Sequence, residues 1–255
     1  DGTFTDVSAE SGIGAHPGKG MGVAFADYDG DGWLDVFVSN DAWRNFLFRN
    51  LGDGRFEETG LYAGVGYIDA GRPVSGMGAD FRDYDGDGQP DIFMTALSNE
   101  TFPLFRNEGN GMFKDRTYAS RLGPQTLPWG GWSGGMVDLD NDGWLDDFTA
   151  GGHVQPTQER YASPASRPAS RVFRTRGAGT FGDVTATAGG DFQQKGLHRG
   201  AAFGDLDDDG RVDAVVTRRN EPVEVFHNQT EGTGHFLLLR LIGTRANRDG
   251  LGASV

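Results

Sequence analysis

Asp27-Tyr28-Asp29-Gly30-Asp31-Gly32-Trp33-Leu34-Asp35 is the stretch on which the fold turns. Its pattern, D-x-D-x-D-G-x-x-D, returns as Asp83, Asp85, Asp87, Gly88, Asp91, then as Asp138, Asp140, Asp142, Gly143, Asp146, and last as Asp205, Asp207, Asp209, Gly210, Asp213. Carboxylates at alternate positions followed by glycine make a tight loop with its oxygens turned inward, the arrangement a hard cation with about six to eight oxygen ligands requires. Calcium is the expected occupant, with about four ions for the chain. Positions one, three and five supply side-chain oxygens, and position seven (Trp33, Gln89, Trp144, Arg211) supplies a backbone carbonyl. The aspartate at position nine closes the shell, and the glycine at position six takes a turn that a side chain resists. Magnesium prefers fewer ligands and retained water, and a chain without cysteine and with five histidines suits zinc poorly. An EF-hand starts alike but needs glutamate at position twelve between two helices; here that position holds Val38, Met94, Thr149 and Val216, and the flanks read as strands.

The loops begin at residues 27, 83, 138 and 205, so the surroundings repeat at intervals of 56, 55 and 67 residues. Before each loop runs a small, apolar strand: residues 22–26, 78–82, 134–137 and 200–204. After it comes a β-rich strand: residues 36–39, 92–95, 147–150 and 214–217. A third strand follows at 46–49, 103–106, 171–174 and 223–227, and a glycine-containing turn leads to a fourth. Phe48 and Phe56, Phe105 and Phe113, and Phe173 and Phe181 mark that last hairpin, each pair eight residues apart. Four short antiparallel strands per unit of about 55 residues predict an all-β chain of β-propeller blades. A β-sandwich has no reason to repeat a metal loop at blade-sized intervals, and no stretch sustains a helical period.

The 255 residues carry a formal charge of −14, with 28 aspartates against 9 glutamates. Sixteen of those aspartates sit in the four loops, so the acidity is local and without it the chain is close to neutral. An acidic chain lacks the basic footprint that nucleic acid requires. The absence of cysteine excludes a disulfide framework. The longest apolar runs, such as 236–239, are strand-sized, so no transmembrane helix is expected. The chain opens on Asp1 with no apolar leader, which places any targeting signal outside it.

The first residues, D-G-T-F-T-D-V, read as the last strand of a preceding blade, and the fourth unit lacks such a strand after Phe226. The N-terminal strand either completes the last blade or belongs to a larger propeller with a blade upstream; the abrupt C-terminus favours the larger propeller. The expected organisation is residues 1–13 as a last strand, then blades at 14–60, 61–117, 118–189 (with a long insertion) and 190–230, and the start of a C-terminal β module at 231–255.

At these residues the sequence resembles the FG-GAP and VCBS repeat family, whose blades occur in integrin α-chain propellers and in bacterial secreted proteins. Ala150 to Pro156 (A-G-G-H-V-Q-P), Arg199 to Thr217 (R-G-A-A-F-G-D-L-D-D-D-G-R-V-D-A-V-V-T) and His235 to Val255 are similar to segments of the acidic secreted cartilage protein family, ASPIC/UnbV. The chain departs from it at Gly152, where asparagine is usual, at Gln155, where an aromatic is, and at Asp147, a position usually apolar. The resemblance implies a calcium-stabilised extracellular or periplasmic propeller that mediates adhesion to a protein or glycan partner. The alternative is a secreted calcium-dependent enzyme of polysaccharide lyase or dehydratase type on the same scaffold, with His153, His198 or the central channel contributing its site.

Weaker signals have plainer readings. Gly131 to Gly135 fits G-x-S-x-G but leads into a calcium-loop strand rather than a helix. Gly177 to Gly182 fits G-x-G-x-x-G within a hairpin turn. Trp129 and Trp132 are candidates for stacking on a sugar or for packing between blades. The Pro-rich insertion at 155–170 is a candidate contact loop. Asn99 and Asn228 fit the glycosylation pattern, although twenty arginines against three lysines point to a GC-rich genome, which makes glycosylation less expected.

Overall fold

The computed structural model describes residues 2–153, 168–177, 179–232, 234–237 and 239–244. Most of the insertion at 155–170, the segment around Asn247-Arg248-Asp249-Gly250 and much of the expected C-terminal module lie outside the described residues. The first sheet runs β1 (Gly20–Ala26), β2 (Asp35–Asn40), β3 (Phe46–Asn50) and β4 (Phe56–Glu58), hydrogen-bonded in that order. The second holds β5 (Gly76–Arg82), β6 (Asp91–Ala96), β7 (Leu104–Asn107) and β8 (Phe113–Asp115), and the third β9 (Gly131–Val137), β10 (Asp146–Gly151), β11 (Arg171–Thr175) and β12 (Phe181–Asp183). The fourth has three strands, β13 (His198–Gly204), β14 (Asp213–Arg218) and β15 (Glu221–Phe226). All pairs are antiparallel, and each sheet is one blade of a β-propeller.

Every acidic loop is the hairpin between the first and second strands of its blade. Register fixes this: Ala26 faces Asp35, Arg82 faces Asp91, Val137 faces Asp146 and Gly204 faces Asp213. The position-nine aspartate is thus the first residue of each second strand. The G-x-S-x-G segment, expected to lead into a strand, is itself part of one, with Ser133 inside β9. A helix that the sequence did not announce, α1 (Leu122–Thr126), connects the second and third blades. It is one turn long and contains glycine and proline, so no period can show it. Thr126 at its end accepts the Phe102 amide through Oγ1 at 3.0 Å and so ties the turn to the second blade.

Consecutive blades pack through their first strands, β1 on β5, β5 on β9 and β9 on β13. The approach is close enough to exclude side chains: a Cβ on Gly78 would lie 2.6 Å from the Trp132 carbonyl oxygen, and Gly22 stands in the same relation to Met77. Phe37, Leu47, Phe93, Phe105 and Phe173 join the first three blades in one core, and Phe148, Val172, Phe192 and Val216 form a second between the third and fourth. Each fully buried phenylalanine contributes about 1.5–3 kcal/mol.

One core position breaks the pattern. Asp147 follows the third position-nine aspartate, where the first two blades have Val36 and Ile92, and it is fully buried on β10 between Met136 and Phe173. Thr149 donates to its Oδ1 at 2.9 Å, and Oδ2 has no hydrogen-bond partner. Burial pushes its carboxyl well above the usual 3.8, with Asp146 and Asp80 adding to the rise. A carboxyl raised on folding favours the native state at low pH and loses that contribution as pH climbs from the unfolded value through the folded one. Asp147→Val should therefore raise the melting midpoint in chelator by roughly a few degrees, and by more at pH 8 than at pH 5. Scanning calorimetry at both pH values checks this, and a lower midpoint at pH 8 would refute it.

Candidate metal centres

The structure gathers three carboxylates in each loop, with ligand atoms within 4.8 Å of one another: Asp27, Asp29 and Asp31; Asp83, Asp85 and Asp91; Asp138, Asp140 and Asp142; Asp205, Asp207 and Asp213. In the last blade Asp207 and Asp209 also gather with His227. Asp35, Asp87 and Asp146 fall outside these groupings. Position one is held by the loop's own backbone: Asp27 Oδ1 accepts from the Gly30 and Asp31 amides at 2.8 and 3.1 Å, and Oδ2 from Gly32 at 2.8 Å. Asp83 repeats all three bonds, and Asp138 and Asp205 repeat the last two. The amides of Trp33, Gln89, Trp144 and Arg211 donate to the position-five carboxylates at 2.9–3.0 Å, which pins the peptide expected to offer a carbonyl.

Position nine is buried and does double work. Asp35 Oδ2 accepts the Tyr28 amide at 3.0 Å and Oδ1 accepts the Asn50 amide at 2.8 Å. Asp91 accepts from Tyr84 and Asn107, and Asp213 from Leu206 and Asn228, in the same way. Burial pushes the Asp35 and Asp146 carboxyls up to about 6 and that of Asp91 up to about 7, against the pull of these amides and with the loop carboxylates adding to the rise. At Asp213, in the end blade, burial also pushes upward, but the Asn228 and Leu206 amides and His227 outweigh it and hold the carboxyl below the usual value.

The sequence reading missed the cation that each loop already owns. Arg49, on β3, places Nε 2.6 Å from Asp29 and Nη2 3.4 Å from Asp31. Arg106, on β7, spans Asp85 at 2.5 Å and Asp87 at 2.6 Å, and Arg174, on β11, pairs with Asp140 and Asp142. In the fourth blade this place belongs to His227, 3.2 Å from Asp213, while Arg211 pairs with Asp209. The signal was present as Phe-Arg-Asn, Phe-Arg-Asn and Phe-Arg-Thr ending the first three third strands, and as Phe-His-Asn running just past the end of the fourth.

Whether the loops suit a metal is decided by what the arginines leave unpaired. Asp85 Oδ1 and Asp140 Oδ1 are buried without a hydrogen-bond partner. Such an oxygen costs about 1–3 kcal/mol, more when charged, unless something satisfies it. An all-oxygen donor set around an orphaned carboxylate oxygen fits a hard divalent cation.

Of the other candidates, His198, Trp129, Trp132 and Asn228 have side chains engaged by neighbouring residues. His198 is buried, with Nδ1 2.9 Å from the Gly151 carbonyl and Nε2 3.1 Å from Glu224. The His153 carbonyl accepts from Arg199 at 2.9 Å. The Arg171 guanidinium lies 3.3 Å above the Trp129 ring and that of Arg199 4.0 Å above Trp132, whose Nε1 donates to Gly152 O. Each tryptophan therefore has one face capped by an arginine. Asn228 commits its side-chain amide to the Leu139 and Val212 carbonyls at 2.7 and 3.1 Å.

Consecutive blades with an acidic hairpin at the same place in each define a repeat protein of the propeller class. The chain belongs to the family described as FG-GAP-like repeat, which matches residues 1–38, 27–94 and 83–148. Cartilage acidic protein 1 of Xenopus tropicalis is 28% identical over 236 residues and that of Homo sapiens 28% over 229, each alignment taking in 82% of this chain and 32% of the relative. The chain thus spans about a third of the length of these curated relatives. Among solved structures, an Agrocybe aegerita lectin described as recognising non-reducing terminal N-acetylglucosamine superposes with a TM-score of 0.51 at 24% identity, covering 85% of this chain and 51% of the lectin, a likeness of fold.

Two predictions follow from the charge balance of the loops. Arg106→Gln removes the counter-charge from Asp85 and Asp87, so it should lower the midpoint of the metal-free protein and tighten divalent-cation binding to that loop, by up to about tenfold. Weaker binding by titration calorimetry would show instead that the arginine shapes the loop for the ion. Second, the raised carboxyls favour the metal-free fold at low pH and lose that contribution as pH rises through about 6 to 7. A bound cation needs them ionised. The midpoint gain from added divalent cation should grow from pH 5 to pH 8, and a gain independent of pH would exclude these carboxyls from binding.

Proposed function

We propose that the chain is a calcium-binding propeller that acts outside the cell or in the periplasm as an interaction scaffold for a protein or glycan partner. The observation that supports calcium most directly is the orphaned carboxylate oxygen inside an all-oxygen loop, at Asp85 and Asp140. In this proposal the loop aspartates and the position-seven carbonyls hold about four ions, one per loop, and the blades divide at 14–60, 61–117, 118–189 and 190–230. The ion's part is structural: it neutralises carboxylates that the hairpin forces together.

The scaffold reading draws on the family and on relatives whose name places them in cartilage, a tissue rich in extracellular matrix. Among the described residues no helix is long and apolar enough to cross a membrane. The enzyme alternative asks for a base that reaches substrate, and of the two histidines named for it His198 is buried with both ring nitrogens engaged. With the tryptophans at 129 and 132 capped, the half-exposed rings of Trp33 and Trp43 are better placed for a partner to contact.

A thermal melt in calcium and in chelator tests the metal. At ten times the dissociation constant each filled loop adds about 1.4 kcal/mol, so the midpoint should rise by several degrees. An unchanged midpoint would reject structural calcium. Asp142→Ala should lower the number of ions counted by equilibrium dialysis by one, and an unaltered count would reject the assignment of loop three.

A further inference from the structure

The acidic loops are not all joined to one another in the same way. Between the first and the second runs an unbroken line of hydrogen bonds from one closing carboxylate to the next. Asp35 Oδ2 accepts the Tyr28 amide at 3.0 Å, the Tyr28 carbonyl accepts the Asn107 side-chain amide at 2.9 Å, and the Asn107 backbone amide donates to Asp91 Oδ1 at 2.7 Å. The same Asn107 side chain holds the Pro90 carbonyl of its own loop at 3.2 Å, and it is fully buried. Away from competing water, members of such a line reinforce one another, so the order of one end depends on the order of the other.

The third and fourth loops are joined likewise. Asp146 takes a backbone hydrogen bond from Leu139, the Leu139 carbonyl accepts the Asn228 side-chain amide at 2.7 Å, and the Asn228 backbone amide donates to Asp213 Oδ1 at 2.7 Å. A second bond runs beside this line, from Asn141 Nδ2 to the Gly210 carbonyl at 2.9 Å. Asn141 is the fourth residue of its loop, where the first two loops have Gly30 and Gly86.

Between the second and third loops the line is cut. Both of its ends are present, since the Tyr84 amide donates to Asp91 at 3.1 Å and the Thr175 amide to Asp146 at 2.8 Å. The middle link is lacking, because Thr175 has a single hydroxyl proton and commits it to the Leu145 carbonyl of its own loop. Apolar contact is not what differs: Phe181 rests on Tyr84 at 6.0 Å much as Phe113 rests on Tyr28 at 5.7 Å, and the Trp144 ring lies beside Gly86. The hydrogen bonds from Met136 to Asp80 and from Thr95 to Trp132 join the same two blades, but they lie between strands and end on no loop carboxylate.

We infer that the loops take up their cations as two cooperating pairs, the first with the second and the third with the fourth, and that the two pairs act independently of each other. The inference rests on the reading of the loops as calcium sites. When the first loop is set by its ligand, the Tyr28 peptide at its entry is set with it. That peptide orients Asn107, whose backbone amide steadies Asp91, and the second loop then closes with less left to order. The coupling is reciprocal, so a filled second loop favours the first by the same factor. Leu139 and Asn228 play these parts in the other pair.

Calcium titration calorimetry of the full chain tests this, with loops disabled at Asp31, Asp87 and Asp142, which are exposed and lie outside the connecting lines. Removing a whole pair, by Asp31→Ala with Asp87→Ala, should leave two ions held as tightly as in the unaltered chain. Removing one loop from each pair, by Asp87→Ala with Asp142→Ala, should also leave two ions, each about fivefold weaker. Asn107→Thr gives the second blade the residue of the third; it should weaken the first pair in the unaltered chain and have no effect on ion affinity once the second loop is disabled. Asn107 is buried, so the two loop variants, which leave it in place, carry the test if that chain fails to fold. The fourth loop is intact in both of them, and a shared affinity for its ion across the two overturns the inference while leaving the loop reading intact. An unaltered chain that takes up no calcium overturns both.

Discussion

The aspartate that ends each acidic loop is the constraint on which the blade depends. Its carboxylate is buried at the first residue of the second strand, and its two oxygens bind amides from two directions. Tyr28, at the entry of the loop, and Asn50, at the end of the third strand, both donate to Asp35. One side chain thereby fixes where the loop starts, where the second strand begins and how the third strand is registered. A buried carboxylate without those amides would carry a desolvation cost of several kcal/mol, so the hairpin and the third strand have to form together. This cooperativity suits a chain with few long apolar runs, because the polar anchors set the geometry and the phenylalanines then pack into it.

The same residues couple one blade to the next. Asn107 donates its side-chain amide to the Tyr28 carbonyl of the first loop at 2.9 Å and to the Pro90 carbonyl of its own at 3.2 Å. Asn228 joins the Leu139 and Val212 carbonyls in the same manner. In the third blade a threonine stands here: Thr175 bonds the Leu145 carbonyl of its own loop at 2.5 Å and is too short to extend to the neighbour. The second and third blades are joined by other hydrogen bonds: the Met136 amide donates to Asp80 Oδ2 at 2.8 Å and Thr95 Oγ1 donates to the Trp132 carbonyl at 2.9 Å. The buried Asp147 lies in the third blade, whose Thr175 makes no such bond to the preceding loop.

What the sequence revealed follows from the range of each interaction. The loops were legible because a carboxylate shell needs its acids at fixed local spacing, and the strands because a repeat compares each segment with three others. Phe48 and Phe56 marked their hairpin for the same reason. What depended on contacts between strands was harder to read. Arg49, Arg106 and Arg174 sit more than twenty residues from the start of their loops, and only the fold brings them onto the carboxylates. For Trp129 and Trp132 the sequence left stacking on a sugar and packing between blades both open, and it is the fold that brings Arg171 and Arg199 onto them from other parts of the chain. His198 could be read as a structural histidine or as a base, and the partners that decide it, Gly151 and Glu224, are 47 and 26 residues away.

The loop cations also change what the net charge of −14 means. Four aspartates with one guanidinium leave a loop at about −3, and a divalent ion brings it to about −1, so neither state is as anionic as the acids alone imply. Arginine suits this place because its planar fork spans the carboxylates at positions three and five while leaving an oxygen on one of them unpaired, as Arg106 leaves Asp85 Oδ1. A lysine would offer a point charge at the centre, where an ion has to sit. The fourth loop is built differently. Arg211 comes from the loop itself and pairs with the neighbouring Asp209, and His227 lies 3.2 Å from Asp213 and 3.7 Å from Asp207. In the first three blades the counter-charge is tied to the third strand, so the state of the loop is felt across the sheet. In the fourth it is divided between Arg211 of the hairpin and His227 just beyond the third strand.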